Sequence, residues 1–213
     1  MKLKTLLILI IVTIFAAGCI KTKTCNLVIT DQEKTWFVYD SSDIRYFENQ
    51  EGDRISLNFS PIYSHADGEV SEDQWCKANA VSYINLKDSL GNEQTIGEYL
   101  LKKTEIRNNQ LVFRSNIIFG DLVFVQGDYQ DENLYLDRNG NELERLDSLA
   151  IGDSTYENVL TIAASDSVLF TNTQFKDIVF SENFEILQFE IQDSLVYDLV
   201  GTDSKGLHKS SGS

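Results

Sequence analysis

The chain has 213 residues, enough for one domain with a sizeable core, and carries 18 Lys and Arg against 33 Asp and Glu, a formal charge of −15. A surface this acidic argues against nucleic acid, whose phosphates need Lys and Arg, and against broad contact with anionic lipid head groups. With two histidines and three cysteines, Ser–His or Cys–His catalysis has little to rest on.

At the N-terminus, Lys2 and Lys4 precede an apolar run from Leu6 to Phe15, followed by the small residues Ala16, Ala17 and Gly18. A bilayer-spanning helix needs about 20 apolar residues, and this run is too short. A positive start, a short apolar stretch and small residues at a cleavage site describe a secretory signal peptide, residues 1–18. Ala16-Ala17-Gly18-Cys19 resembles the bacterial lipobox, with Ala16 where leucine is usual. That resemblance implies acylation of Cys19, and two or three acyl chains anchor a protein stably where one would not. The alternative is an ordinary signal peptide with cysteine as its first mature residue.

Ile20 is not the aspartate associated with inner-membrane retention, so an outer-membrane location is expected. Lys21-Thr22-Lys23 is basic, where surface-exported lipoproteins are typically acidic, which favours the periplasmic face. Removing residues 1–18 takes away two lysines and no acid, so the remaining 16 basic and 33 acidic residues sum to −17. Residues 19–33 are expected to form the lipidated N-terminus and a tether.

With Cys19 lipidated, Cys25 and Cys76 remain as an even pair in an oxidising compartment. Either they form a disulfide, or Cys25 lies in a flexible tether and Cys76 is a buried free thiol.

From residue 34 to 200 the chain reads as a single β domain. Ile55, Leu57 and Phe59 alternate with polar residues, as a strand with one buried face should. Further strands are expected at 111–119, 122–126, 133–137, 156–162, 177–180, 184–192 and 195–200. Many short strands with Asn, Asp and Gly between them predict an all-β, antiparallel architecture, either a β-sandwich or a curved half-barrel sheet. Pro61 is the single proline, so Gly, Asn and Asp must make the turns. Asn139-Gly140 suits a type I′ hairpin that sets Leu136 opposite Leu143. Turns are also expected at 88–92 and 49–53.

One or two short helices are expected. Ser71-Glu-Asp-Gln74 and Thr95-Ile-Gly-Glu98 both have the pattern of a capping box. Residues 201–213 lack a core-forming pattern and are expected to be a flexible tail.

No constellation predicts catalysis, a metal or a cofactor. Asp137-Arg-Asn139-Gly-Asn141 resembles a calcium loop, but Gly140 and Ser148 stand where that loop does not place glycine and where it needs glutamate. His65, Asp67, Glu69, Glu72 and Asp73 cluster in sequence, but one histidine among scattered carboxylates does not match a zinc site, and a solvated loop is expected. The aromatics, 11% of the chain, either fill a β core or line a concave surface for an apolar ligand.

Tyr156-Glu-Asn158-Val159-Leu-Thr-Ile162, followed by Phe180-Ser-Glu-Asn-Phe184-Glu-Ile-Leu187-Gln-Phe189-Glu190, resembles strand motifs of many small β-rich lipoproteins of Bacteroidetes. Glu185 stands where that family commonly has glycine, and Asp193-Ser194 where it has Asp-Gly. The resemblance implies a β-rich envelope lipoprotein and carries no active residues with it. The function expected is a non-enzymatic binding or structural role at the membrane, to which the acyl chains on Cys19 hold the protein, with an unidentified protein as partner. The alternative is a carrier of an apolar ligand in a half-barrel cavity, and an enzyme acting on envelope polymers is the weakest reading.

Overall fold

The computed structural model describes residues 21–106, 110–119, 122–128, 135–136, 143–163, 175–191 and 195–204. Their backbone is all-β, with one short helix. A short strand, β1 (Thr22–Thr24), leads into the helix α1 (Asp31–Lys34). The strands β2 (Asp43–Asn49), β3 (Arg54–Phe59), β4 (Tyr63–Ala66) and β5 (Glu69–Ser71) follow. The two longest strands are β6 (Lys77–Lys87) and β7 (Glu93–Ile106), and after them come β8 (Gln110–Phe119), β9 (Leu122–Asp128) and β10 (Tyr135–Leu136). The last five are β11 (Glu144–Ile151), β12 (Ser154–Ala163), β13 (Phe175–Phe180), β14 (Ile186–Ile191) and β15 (Leu195–Ser204).

Among the described residues one antiparallel sheet of 13 strands carries the fold, in the order β10-β9-β8-β7-β6-β3-β2-β15-β14-β13-β12-β11, with β4 added beside β6. Strands β1 and β5 form a separate pair. The large sheet is two meanders joined where the last strand, β15, pairs with β2. It folds back on itself, since side chains from strands far apart in that order meet. Phe119 on β8 lies 5.3 Å from Phe175 and 6.4 Å from Phe180 on β13. This is the antiparallel all-β architecture that the strand pattern predicts.

The main core sits inside the curl. Phe47, Leu57, Ala80, Ile84, Leu101, Ile117, Phe180, Ile186 and Phe189 have no exposed surface or almost none. Burying each large side chain contributes roughly 1.5–3 kcal/mol. On the opposite face of the last strands, Ile151, Val159, Val179 and Leu187 form a second, smaller cluster. Val179 lies between Ile178 and Phe180 of the main core, so the period of two sends it to the other side.

Several expectations need correction. Residues 95–98 do not start a helix; they lie in β7. Gly97 faces Ile84 on one side and Phe119 on the other, and a Cβ there would come within 2.4 Å of the Ile118 carbonyl. Close strand packing, not a helix cap, is what this glycine serves. Residues 71–74 form a turn, in which Gln74 accepts the Ser71 N–H at 3.4 Å as a capping box would, but no helix continues. The capping box that does open a helix is Thr30-Asp-Gln-Glu33. Leu136 pairs with Val125 on β9. The hairpin expected to set it opposite Leu143 turns at Asn139-Gly140, which lies outside the described residues. Residues 201–204, expected in the tail, extend β15 along β2, and the remainder of that tail lies outside the described residues.

Candidate functional site

The segment expected to be a tether is built into the domain from Lys21 onward. Strand β1 pairs with β5, matching Thr22 to Ser71 and Thr24 to Glu69. The Glu72 N–H donates to the Lys21 carbonyl and the Cys25 N–H to the Gly68 carbonyl, both at 2.9 Å. Of the two alternatives for the cysteines, the structure holds the bonded one: Cys25 and Cys76 form a disulfide, with Cα atoms 5.4 Å apart. Both cysteines are buried.

Past the disulfide the chain enters the curl of the large sheet. Ile29, Phe37 and Tyr39 are buried in the main core, with Leu27, Trp36 and Val38 packed against it. Tyr39 stacks on Phe59 at 3.8 Å, and the Trp36 ring lies edge-on to Tyr99 at 6.0 Å. The helix α1 is fastened by one carboxylate shared between two donors. Glu33 accepts the Thr30 N–H at 2.7 Å and the Lys103 ammonium at 2.9 Å. Lys103 also donates to the Val28 carbonyl and lies over the Phe113 ring. Burial works against the Glu33 carboxylate, but the Lys103 ammonium and the Thr30 amide outweigh it and hold its carboxyl below the ordinary range.

The sequence cluster from His65 to Asp73 is therefore the seat of the N-terminal segment. Asp67 accepts the Lys77 N–H at 2.9 Å, and its own N–H donates to the Lys77 carbonyl. His65 is exposed on β4, opposite Asn79. Among the described residues no three His, Cys, Asp or Glu side chains come together as a metal site.

A second buried polar group lies deeper in the curl. The Arg45 guanidinium sits 4.9 Å over the Tyr39 ring, and its Nε is 3.2 Å from Oε1 of Glu185. The Tyr99 hydroxyl donates to the Phe184 carbonyl at 2.9 Å. Phe184, with φ of 64°, occupies the left-handed region in place of a glycine. Its ring is buried and its carbonyl is held, which offsets the strain. The left-handed residue is thus one position before Glu185, and Glu185 is free to pair with Arg45. Burial, reinforced by the Glu185 charge, pushes the Tyr39 hydroxyl far above its ordinary value, and burial does the same to Tyr99.

The aromatic side chains that a ligand cavity would need are packed on one another, as in the Phe47–Phe189 contact at 4.9 Å and the stacked Phe189–Tyr197 pair at 5.7 Å. A hollow of about 370 Å³ lies on the outside, between Tyr46, Arg54, Ser56, Asn58, Lys87 and Asp88. Two of its charged groups are engaged locally: Arg54 pairs with Glu48, and Asp88 accepts the Leu90 and Asn92 N–H groups within its own turn.

Sequence reasoning missed Thr30, Glu33 and Lys103, and also Arg45 and Tyr39. The pattern Thr-x-x-Glu at 30–33 is a capping-box signal, and it lies within the stretch 19–33 that is expected to be a tether. The partners of Arg45 and Tyr39 had no signal, because only the curled sheet brings Arg45 to Glu185 and Tyr39 to Ile186.

Among the described residues no helix is long and apolar enough to cross a membrane. Cys19 and the signal-like residues 1–18 lie outside the described residues. No protein-family model, no curated protein and no solved structure matches the chain.

Proposed function

We propose that the chain is a bacterial envelope lipoprotein of the Bacteroidetes type, acylated on Cys19 and held at the periplasmic face of the outer membrane. Its β domain serves there as a non-enzymatic binding or structural module, with a protein as its partner. The observation that carries the reading is Ala16-Ala17-Gly18-Cys19 after a short apolar run that two lysines precede. The disulfide between Cys25 and Cys76 supports it, since such bonds persist in oxidising compartments. The packed aromatic interior favours a binding or structural module over a carrier of apolar ligands.

Intact mass spectrometry of the chain expressed in a bacterium tests this. The expected species begins at Cys19 and carries two or three acyl chains, and Cys19→Ser abolishes them. A mature chain without acyl mass overturns the reading. Native spectra of the soluble Cys19→Ser protein are expected to show a bare chain; co-purifying lipid would put the carrier alternative first.

A further inference from the structure

A lipoprotein whose globular part follows a long flexible linker samples a wide shell above the bilayer. Here only Ile20 separates Cys19 from Lys21, whose carbonyl is already bonded to Glu72. Two residues of extended chain span at most about 7 Å. The disulfide and the β1–β5 ladder then pin the following residues to the body of the domain. An acylated Cys19 would leave this end of the domain no room to stand away from the lipid.

The chemistry of that end fits such a position. Trp75, three residues after Glu72 and beside Cys76, is 49% exposed. Tryptophan with an accessible ring is the residue that membrane–water interfaces collect, because the ring is apolar and its N–H is a donor. Val28, three residues after Cys25, is 59% exposed. The charge is also set apart from the rest of the chain. The residues of this end and the adjoining strand ends (21–34, 63–79, 102–106 and 110–114) hold seven basic and seven acidic side chains, against −17 for the chain from Cys19 on. An end without net charge meets anionic head groups without the repulsion that the other surfaces would face.

We propose that this disulfide-tied end lies directly against the lipid head groups, with Trp75 at the bilayer interface. The partner is the phospholipid surface that carries the anchor, and the inference rests on acylation of Cys19. It leaves the opposite end of the curled sheet directed away from the membrane.

The test uses the acylated full-length protein reconstituted into vesicles of phosphatidylethanolamine and phosphatidylglycerol, with and without lipids brominated near the head group. The chain has two tryptophans, Trp36 and Trp75, and Trp36 packs against the core. Brominated lipid is expected to quench the wild-type protein and Trp36→Phe, in which Trp75 is the sole reporter. Trp75→Phe should lose the quenching, and a long Gly-Ser insert between Ile20 and Lys21 should weaken it. Acylated, vesicle-bound protein with unquenched Trp75, or quenching unchanged in Trp75→Phe or by the insert, overturns the apposition alone. Absence of acyl mass overturns it together with the anchoring on which it rests.

Discussion

The hydroxyl of Tyr39 accepts the backbone N–H of Ile186 at 2.6 Å, joining residues 147 apart in sequence at a buried site. The bond ties the N-terminal segment inside the curl to the start of β14, next to the strained Phe184. Tyr39→Phe keeps the ring on Phe59 but leaves that N–H without its acceptor. The expected cost is about 1–3 kcal/mol, read as a lower urea midpoint with an unchanged slope. Because burial raises the Tyr39 hydroxyl's pKa in the fold, the unfolded chain ionises first as pH rises. Its stabilisation is present below the ordinary tyrosine value of 10.0 and is lost above it, and Tyr39→Phe should flatten that alkaline decline.

The Cys25–Cys76 bond closes a loop with a sequence separation of 51. On the chain-entropy estimate this is worth about 4 kcal/mol. Paired Cys25→Ala and Cys76→Ala substitutions, or reductant, should lower the urea midpoint accordingly. Loosened β1 and β5 amides should then exchange faster in hydrogen-exchange measurements, ahead of those in β6 and β7. Unchanged protection at β1 would show that the backbone pairing alone holds the segment.

Glu33 gives the N-terminal segment an acid-sensitive clasp. Its carboxyl is held below the ordinary 4.5, so the unfolded chain takes up the proton more readily. The stabilisation is therefore full above pH 4.5 and is lost as pH falls through the lower folded value. Lys103→Met should cost roughly 1–2 kcal/mol at neutral pH and make the acid limb shallower, as measured by urea unfolding across pH. Glu33→Gln should reproduce the shallower limb.

Gly97 tests the packing of the two longest strands. A methyl group there would lie 2.4 Å from the Ile118 carbonyl and 3.3 Å from Phe119 Cα, both backbone atoms. Gly97→Ala is expected to destabilise by about 1–3 kcal/mol through overpacking. Gly68→Ala, whose added methyl meets nothing within 4 Å, is the control and should leave thermal stability nearly unchanged.

What was legible in the chain followed the contrast between apolar and polar positions. In β3, Leu57 and Phe59 alternate with polar neighbours, and the strand is where that pattern puts it. Strand β6 was hidden because its inward positions include Ala78, Ala80 and Ser82, which are too small and mixed to mark a buried face. Strand β7 was disguised by Thr95-Ile-Gly-Glu98 and by Ile96, Tyr99 and Leu100, whose spacing also suits a helix. Pairing with β6 and β8 along 14 residues overrides that local preference.

The order of residues by itself determined the all-β class, most of the C-terminal strands, and the acidic, histidine-poor composition. It also placed a lipobox-like cysteine after an apolar run. Those properties are local, written in composition, period and short motifs. Only the tertiary structure decided that the presumed tether is part of the core, that Cys25 meets Cys76, and that Arg45 pairs with Glu185. Each of these joins residues dozens to more than a hundred positions apart. Such contacts follow from which strand faces meet when the sheet curls, a geometry that no short stretch of sequence contains.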